Sequence, residues 1–299
     1  MGGKLPLIFD CDNTMGVPNH DVDDGLALLY VLGCPEVDLL GVTCSFGNST
    51  QDTVYRNTRR LLQEWGRGDI PVFRGADSPA DRRSPAADFL ADLARRYSGE
   101  LNLLVTGSST NLLGAAERDP EFFSHVKTIS LMGGLTGPLL VNGKPMGELN
   151  CSVDCEAAYA VLTRGREIRV ATAQNCLDSY FSREEYQAFL ADSPAPLARY
   201  LEQILSGWFG WNRVRYGQDG FVNWDLMAAA QLIHPELFAL EEGTISPSPQ
   251  SLRTGGLLGD GPTRRVLLPR IKDRTAYTRH AYRTILSAPV DLTGDISKK

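Results

Sequence analysis

Short apolar runs alternate with amphipathic stretches along the first two thirds of the chain. Leu5 to Phe9 is an apolar run that reads as a buried strand. Asp23 to Leu32 reads as a helix whose acidic first turn suits the helix dipole. Leu39 to Thr43 is a second strand, Thr50 to Trp65 a helix and Val72-Phe73 a short third strand. Leu101 to Thr106 is a strand, after which Gly107-Ser-Ser-Thr-Asn111 turns into another helix. Thr128 to Met132 is a strand closed by Gly133-Gly134, and Ile168 to Ala171 is another. This alternation predicts an α/β fold: one open, mainly parallel sheet with helices on both faces and a Rossmann-like core. Segments 74–86 and 135–150 read as loops, and 243–263, rich in Gly and Pro, is expected to leave the sheet. With no internal repeat, low-complexity tail or linker, residues 1–299 read as a single domain.

In such sheets ligands sit at the carboxyl ends of the strands. Asp10, Asp12, Asn48, Thr106 and Met132 all fall just past predicted strand ends. Asp10, Asp12, Asp21, Asp23 and Asp24 lie within one stretch of fifteen residues. Helix capping or solvated charge explains any one of them. Together at a strand end they repel one another, and a bound cation relieves that repulsion. Oxygen ligands alone suit Ca²⁺ or Mg²⁺.

Composition narrows the field. The chain has 299 residues, 42% hydrophobic and 22% charged, as in ordinary soluble globular proteins. A net charge of −6 argues against a nucleic-acid partner. No apolar run reaches membrane-span length, and Met-Gly-Gly-Lys-Leu-Pro lacks a signal-peptide core, so a cytoplasmic protein is expected. The six cysteines form no Cys-x-x-Cys pair and read as small buried hydrophobes. Four unclustered histidines make a zinc site improbable.

Two chemistries fit the acidic cluster. Asp10-Cys-Asp12-Asn-Thr14 after an apolar strand looks like a haloacid dehalogenase-type Mg²⁺ phosphatase with Asp10 as nucleophile. That reading needs a later hydroxyl, a Lys and a second acidic pair. Thr106 and Lys127 or Lys144 could serve, but Leu257-Leu-Gly-Asp260-Gly-Pro-Thr lacks the second acid and Asp23-Asp24 comes too early. The other reading keeps more of the chain. The acidic cluster, Gly47-Asn48, Thr106-Gly-Ser-Ser-Thr-Asn111-Leu, Leu131-Met-Gly-Gly134, Glu148-Leu-Asn150 with Val153-Asp154, and Trp224-Asp225 follow in order from about residue 5 to about 240. In these segments the chain resembles the nucleoside hydrolases, a family with inosine–uridine-preferring and purine-preferring branches.

The resemblance implies a Ca²⁺-dependent ribonucleoside N-glycosidase that releases free base and ribose. It implies that Asp12, Asp24, Asp225 and the Thr106 carbonyl hold the ion, with Asp10 as a supporting carboxylate. Asp12 would also be general base for the ion-bound water. Asp23 and Asn150 would hold the ribose 2′- and 3′-hydroxyls, Glu148 and Asn142 the 5′-hydroxyl, and Asn48 and Met132 would line the ribose. A small-molecule nucleoside would be the partner, and the protein a homodimer or homotetramer. Bland readings stand beside these: Asn142-Gly143 is a natural turn pair, Asn48 a natural cap, Met132 a core residue, and Asp225 a first-turn acid.

Two departures matter. Ten residues, Asn13 to Val22, separate Asp12 from Asp23, more than the family usually has. This insertion is expected to shape or close the entrance, and its His20 is either a leaving-group acid or a solvated loop residue. The leaving-group His that the inosine–uridine branch carries before its last Asp is here Trp224, as in the purine-preferring branch. Stacking on an indole argues mildly for purines, while Asn48 matches the other branch. Of the preceding aromatics, Trp208 and Trp211 read as core and Tyr216 as part of the base pocket. A nucleoside- or ribose-binding protein without turnover is the remaining alternative.

Overall fold

The structure, a computed structural model, describes residues 3–191, 193 and 196–292. Among the described residues, twelve strands run in chain order as β1 (Leu5–Cys11), β2 (Val37–Cys44), β3 (Val72–Arg74), β4 (Asn102–Val105), β5 (Thr128–Met132), β6 (Leu140–Val141), β7 (Lys144–Pro145), β8 (Glu167–Ala171), β9 (Tyr180–Ser182), β10 (Gly220–Val222), β11 (Phe238–Ile245) and β12 (Arg264–Ile271). Eight of them form one sheet in the order β11-β12-β8-β5-β4-β1-β2-β3. Every neighbouring pair is parallel except β11–β12, an antiparallel edge. The α-helices are α1 (Asp23–Gly33), α2 (Gln51–Glu64), α3 (Pro85–Arg96), α4 (Thr110–Arg118), α5 (Phe122–His125), α6 (Cys155–Arg164), α7 (Ala173–Cys176), α8 (Arg183–Ala191), α9 (Pro196–Tyr216), α10 (Trp224–Ile233), α11 (Pro249–Leu252) and α12 (Arg274–Leu286).

The strands read as continuous apolar runs because both sheet faces are covered. Successive side chains alternate between two cores with the period of two that a strand imposes. Leu7, Phe9 and Cys11 of β1 enter the core under α1, α10 and α12, while Ile8 enters the core under α3, α4 and α6. In β4, Leu104 joins the first core and Leu103 and Val105 the second. The α/β architecture with its mainly parallel open sheet is therefore as expected. The elements for which the sequence gives both bounds agree with the observed ones within two residues, whereas helices α3, α5 and α6 are not among them; Thr50 lies just outside its helix as the N-cap, accepting from the Thr53 N–H.

Two expectations need correction. Residues 243–245 do not leave the sheet but complete edge strand β11, with Gly243 opposite Val266. A Cβ at Gly243 would approach the Leu268 side chain to 2.2 Å, so this glycine serves packing rather than a turn. Only from Ser246 onward does the chain depart. Second, the 135–150 loop contains a small hairpin, β6–β7, turned by Asn142-Gly143. Among the described residues no helix is long and apolar enough to cross a membrane.

Sheet order places a switch point at β1. From β1 the chain steps outward through β2 to β3, then returns to β4 on the other side. Connections diverge there, and the gap above the strand ends is where open α/β sheets bind ligands.

Candidate active site

Asp10 is the last but one residue of β1 and Asp12 follows the strand. Both are fully buried. Asp10 Oδ2 accepts from Thr43 Oγ1 at 2.6 Å and Asn111 Nδ2 at 2.9 Å, while Oδ1 has no hydrogen-bond partner. Asp12 Oδ2 accepts the Asn48 backbone N–H at 2.6 Å, and Oδ1 accepts from Asn48 Nδ2 at 3.2 Å. Gly47 makes this approach feasible, since a Cβ there would lie 2.0 Å from Asp12 Oδ2. Burial raises the Asp10 pKa to about 7 and that of Asp12 to about 6, against the hydrogen bonds that favour their ionised forms.

The other acids arrive on two helix N-termini. Asp23 and Asp24 open α1, and Asp225 stands in the first turn of α10. One carboxylate oxygen from each of these three lies within 4.8 Å of the others. Asp24 Oδ1 accepts from Thr106 Oγ1 at 2.6 Å, and its Oδ2 is a second buried carboxylate oxygen without a partner. Asp23 Oδ2 accepts the Asp225 N–H at 3.4 Å. Burial first, then mutual repulsion, raises the pKa values of Asp24 and Asp225; burial also raises that of Asp23. Helix dipoles favour charge there, but each supplies only about half an elementary charge. Among the described residues no Arg, Lys or His forms an ion pair with Asp10, Asp12, Asp21, Asp23, Asp24 or Asp225. An all-oxygen donor set with two unpartnered buried oxygens fits a hard divalent cation.

A cleft opens above these carboxylates. Asp23, Asn48, Thr106, Met132, Glu148, Asn150, Trp224 and Asp225 all line it, so eight of the expected site residues meet at one surface. Asn150 Nδ2 donates to the carbonyl oxygens of Thr106, at 2.7 Å, and Met132, at 3.1 Å. The Thr106 carbonyl, an expected cation ligand, thus already accepts one hydrogen bond and keeps one lone pair. Glu148 Oε1 accepts the N–H groups of Gly134 and Cys151, and Oε2 that of Ser152. Burial nonetheless raises its pKa. The loop that carries Gly255 packs on it: φ there is +78°, and a Cβ would lie 2.4 Å from Glu148 Oε2.

Two expected residues stand elsewhere. Asn142 occupies the β6–β7 turn with φ +49°, and its Nδ2 donates to the Tyr216 carbonyl at 2.9 Å; it does not line the cleft. The Asn-Gly turn, the alternative to the ribose role that the resemblance implies, is the conformation this pair adopts. His20 sits on the insertion tip with Nδ1 2.9 Å from the Pro18 carbonyl oxygen, and it too lies outside the cleft lining. The insertion is anchored at its base: Asn57 Nδ2 donates to the carbonyls of Asn13 and Met15, and Thr14 Oγ1 donates to that of Asp21.

Beside the main cleft lies a smaller cavity walled by Trp208, Trp211, Tyr216, Phe221 and Trp224. Trp208 and Trp211, expected as core alone, form with Tyr216 its aromatic wall, the two indoles stacked at 4.7 Å. The buried Trp208 Nε1–H has no partner. Asp21 and Trp224 border both spaces. Asp21 had no individual role in the sequence reading. Its one signal was membership of the acidic run, and burial together with Asp23 raises its pKa.

Comparison with known proteins places this geometry. The sequence model for inosine-uridine preferring nucleoside hydrolase matches residues 7–278. "Probable uridine nucleosidase 2" of Arabidopsis thaliana is 30% identical over 276 residues, covering 81% of this chain and 82% of the relative. "Pyrimidine-specific ribonucleoside hydrolase RihA" of Citrobacter koseri is 28% identical over 281 residues, 85% of this chain and 87% of the relative. In structure, "Purine-Preferring Ribonucleoside Hydrolase from Gardnerella vaginalis" superposes with a TM-score of 0.81 at 20% identity, over 95% of this chain and 99% of that one.

Proposed function

The chain belongs to the inosine-uridine preferring nucleoside hydrolase family, and on that premise we propose that it hydrolyses ribonucleosides with Ca²⁺ in the carboxylate cluster and Asp12 as general base. The phosphatase reading, with Asp10 as nucleophile, is set aside by that membership. Asp10 instead supports the site from behind, bound to Thr43 and Asn111.

The observation that carries this reading is the set of buried acids with no cationic side chain among the described residues to balance them. Asp12, Asp24 and Asp225 would hold the ion with the remaining lone pair of the Thr106 carbonyl. The ion, when bound, supplies positive charge that acidifies a coordinated water. Asp12 takes the proton from the attacking water, the bound cation favouring the ionised carboxylate that this requires. Its two hydrogen bonds to Asn48 fix the carboxylate's orientation. Asp23 and Asn150, which line the cleft, would hold the ribose hydroxyls, and Glu148 the 5′-hydroxyl. The water oxygen bonds to the anomeric carbon as the N-glycosidic bond breaks and its electron pair leaves with the base.

No histidine lines either space near Trp224. Trp224 would stack on the base, with the aromatic wall around Tyr216 beyond it. The indole argues for purines, whereas the two sequence relatives are named for pyrimidines and uridine. Uridine is therefore the first substrate to test and inosine the second. The six cysteines are free, which suits the reducing cytoplasm.

The test is ribose release from a panel of purine and pyrimidine nucleosides with Ca²⁺ present, alongside Asp12→Ala. Release that the substitution abolishes supports the hydrolase and ranks the bases. Tight nucleoside binding without release from any member would favour the binding-protein alternative.

A further inference from the structure

A second cluster of metal-ligating side chains lies at the opposite ends of the same two helices. Cys34 is the C-cap of α1 and His234 the C-cap of α10. Helices α1 and α10 pack side by side, and each begins at the carboxylate cluster. Eleven residues of α1 separate the two ends by about 16 Å at 1.5 Å per residue. Between the caps, Glu36 enters from the turn before β2.

The donor atoms are already gathered. His234 Nε2 is 3.7 Å from Cys34 Sγ and 3.1 Å from Glu36 Oε1, and one atom from each residue lies within 4.8 Å of the others. His234 Nδ1 stands 3.0 Å from Glu236 Oε1. That contact holds the ring and, with the proton on Nδ1, leaves the Nε2 lone pair facing Cys34 and Glu36. A carboxylate behind the far nitrogen is the usual support of a metal-binding imidazole. The ring of His280 packs edge-on against His234 at 4.4 Å, but its Nε2 is engaged by Tyr30 Oη at 3.0 Å, so it stands behind the cluster. Cys34 is buried, His234 nearly so, and Glu36 is half-exposed, which leaves one open side for a solvent ligand and for entry.

From this geometry we propose that Cys34, Glu36 and His234 form a zinc site that clips the C-terminal ends of α1 and α10 together. A thiolate, an imidazole and a carboxylate are the donor types Zn²⁺ accepts, and three protein ligands leave its fourth position to water. Thiolate and imidazole distinguish this site from the all-oxygen cluster at the other helix ends and select against Ca²⁺ and Mg²⁺. Charge balances: one thiolate and one carboxylate neutralise the ion. Both helix C-termini also present negative dipole ends to it. The clip holds the helices that carry Asp23, Asp24 and Asp225, without taking part in the chemistry. The competing account of these contacts is an imidazolium ion between Glu36 and Glu236.

The full chain, stripped of metal and then saturated with Ca²⁺, is titrated with Co²⁺ as a spectroscopic stand-in for Zn²⁺. One equivalent should give a thiolate-to-cobalt charge-transfer band with four-coordinate d–d bands, and Zn²⁺ should displace it. Cys34→Ser should remove the band, and Glu236→Gln should keep it while weakening binding by about 10- to 100-fold. Zn²⁺ should raise the unfolding midpoint of the natural protein but not of Cys34→Ser, with nucleoside turnover in Ca²⁺ unaffected. Absence of a thiolate band in the natural protein overturns the proposal, and so does a band that survives Cys34→Ser. The first of these readouts needs no variant, so a folding defect in a substituted protein cannot mask the answer.

Discussion

Asp154 and the Asp10–Asp12–Asp24–Asp225 cluster are equally buried, yet they are opposite kinds of carboxylate. Asp154 accepts from Arg82 Nε and Nη2, from Thr110 Oγ1 and from the Ala157 N–H as N-cap of α6. Arg82 is itself only 12% exposed. Every need of that charge is met within the chain. The cluster has hydroxyl, amide and backbone donors but no cationic side chain, and it leaves Asp10 Oδ1 and Asp24 Oδ2 without partners. A buried charge that is fully paired maintains structure; buried charges left unpaired at a sheet's switch point await a ligand.

The comparison breaks most visibly in activity. Asp12→Ala should lower ribose release by about 10³-fold or more, the range for loss of a general base together with a cation ligand, while circular dichroism stays that of the folded protein. If turnover persists within tenfold, Asp12 is not the base. Asp154→Asn should do the reverse. It removes the one buried carboxylate that Arg82 pairs with and should cost about 3 kcal/mol, the low end for breaking a buried pair, because Glu117 and Glu156 still face the guanidinium. A urea titration reads this as a lower midpoint, and turnover per folded molecule should stay near that of the unsubstituted protein.

A graded effect follows from the raised pKa values of Asp10, about 7, and Asp12, about 6. Between pH 4 and 7 the folded chain without cation holds protons that the unfolded chain, with ordinary carboxylates, has already lost. Stability of the chelator-treated protein should therefore fall as pH rises through that window. With saturating Ca²⁺ the decline should shrink or invert, because the ion favours the ionised carboxylates. Thermal melts across pH with and without chelator read both slopes, and identical slopes would contradict the cation assignment. The smallest effect is expected from Trp224→Ala: loss of about 1–3 kcal/mol of base stacking, seen in kcat/KM and larger for the base the enzyme prefers.

What the sequence made legible was local. Asp10 and Asp12 announced themselves because an apolar strand ends in acids, and Gly47-Asn48 because a turn follows the next strand. Asp225 was placed by its motif beside Trp224. Residues whose roles depend on distant partners were not readable. The family resemblance implies a ribose contact for Asn142, but its amide faces the Tyr216 carbonyl 74 residues away. The bond between Asn150 and the Thr106 carbonyl, the seat of Asp21 between two cavities, and the aromatic wall of Trp208 and Trp211 all required the folded chain. The β11–β12 edge was hidden by the Gly243 signal, which packs against Leu268 instead of turning the chain. Cys34 and His234, 200 residues apart, meet only because two helices starting at one site end at another.

The central claim is that the uncompensated carboxylates hold a divalent cation. Calorimetric titration of chelator-stripped protein with Ca²⁺, repeated on Asp24→Asn, tests it most directly. The account predicts one equivalent bound by the natural protein, with a raised unfolding temperature, and binding lost or severely weakened in Asp24→Asn. No heat and no change in unfolding temperature on adding Ca²⁺, or binding that Asp24→Asn leaves intact, would contradict it.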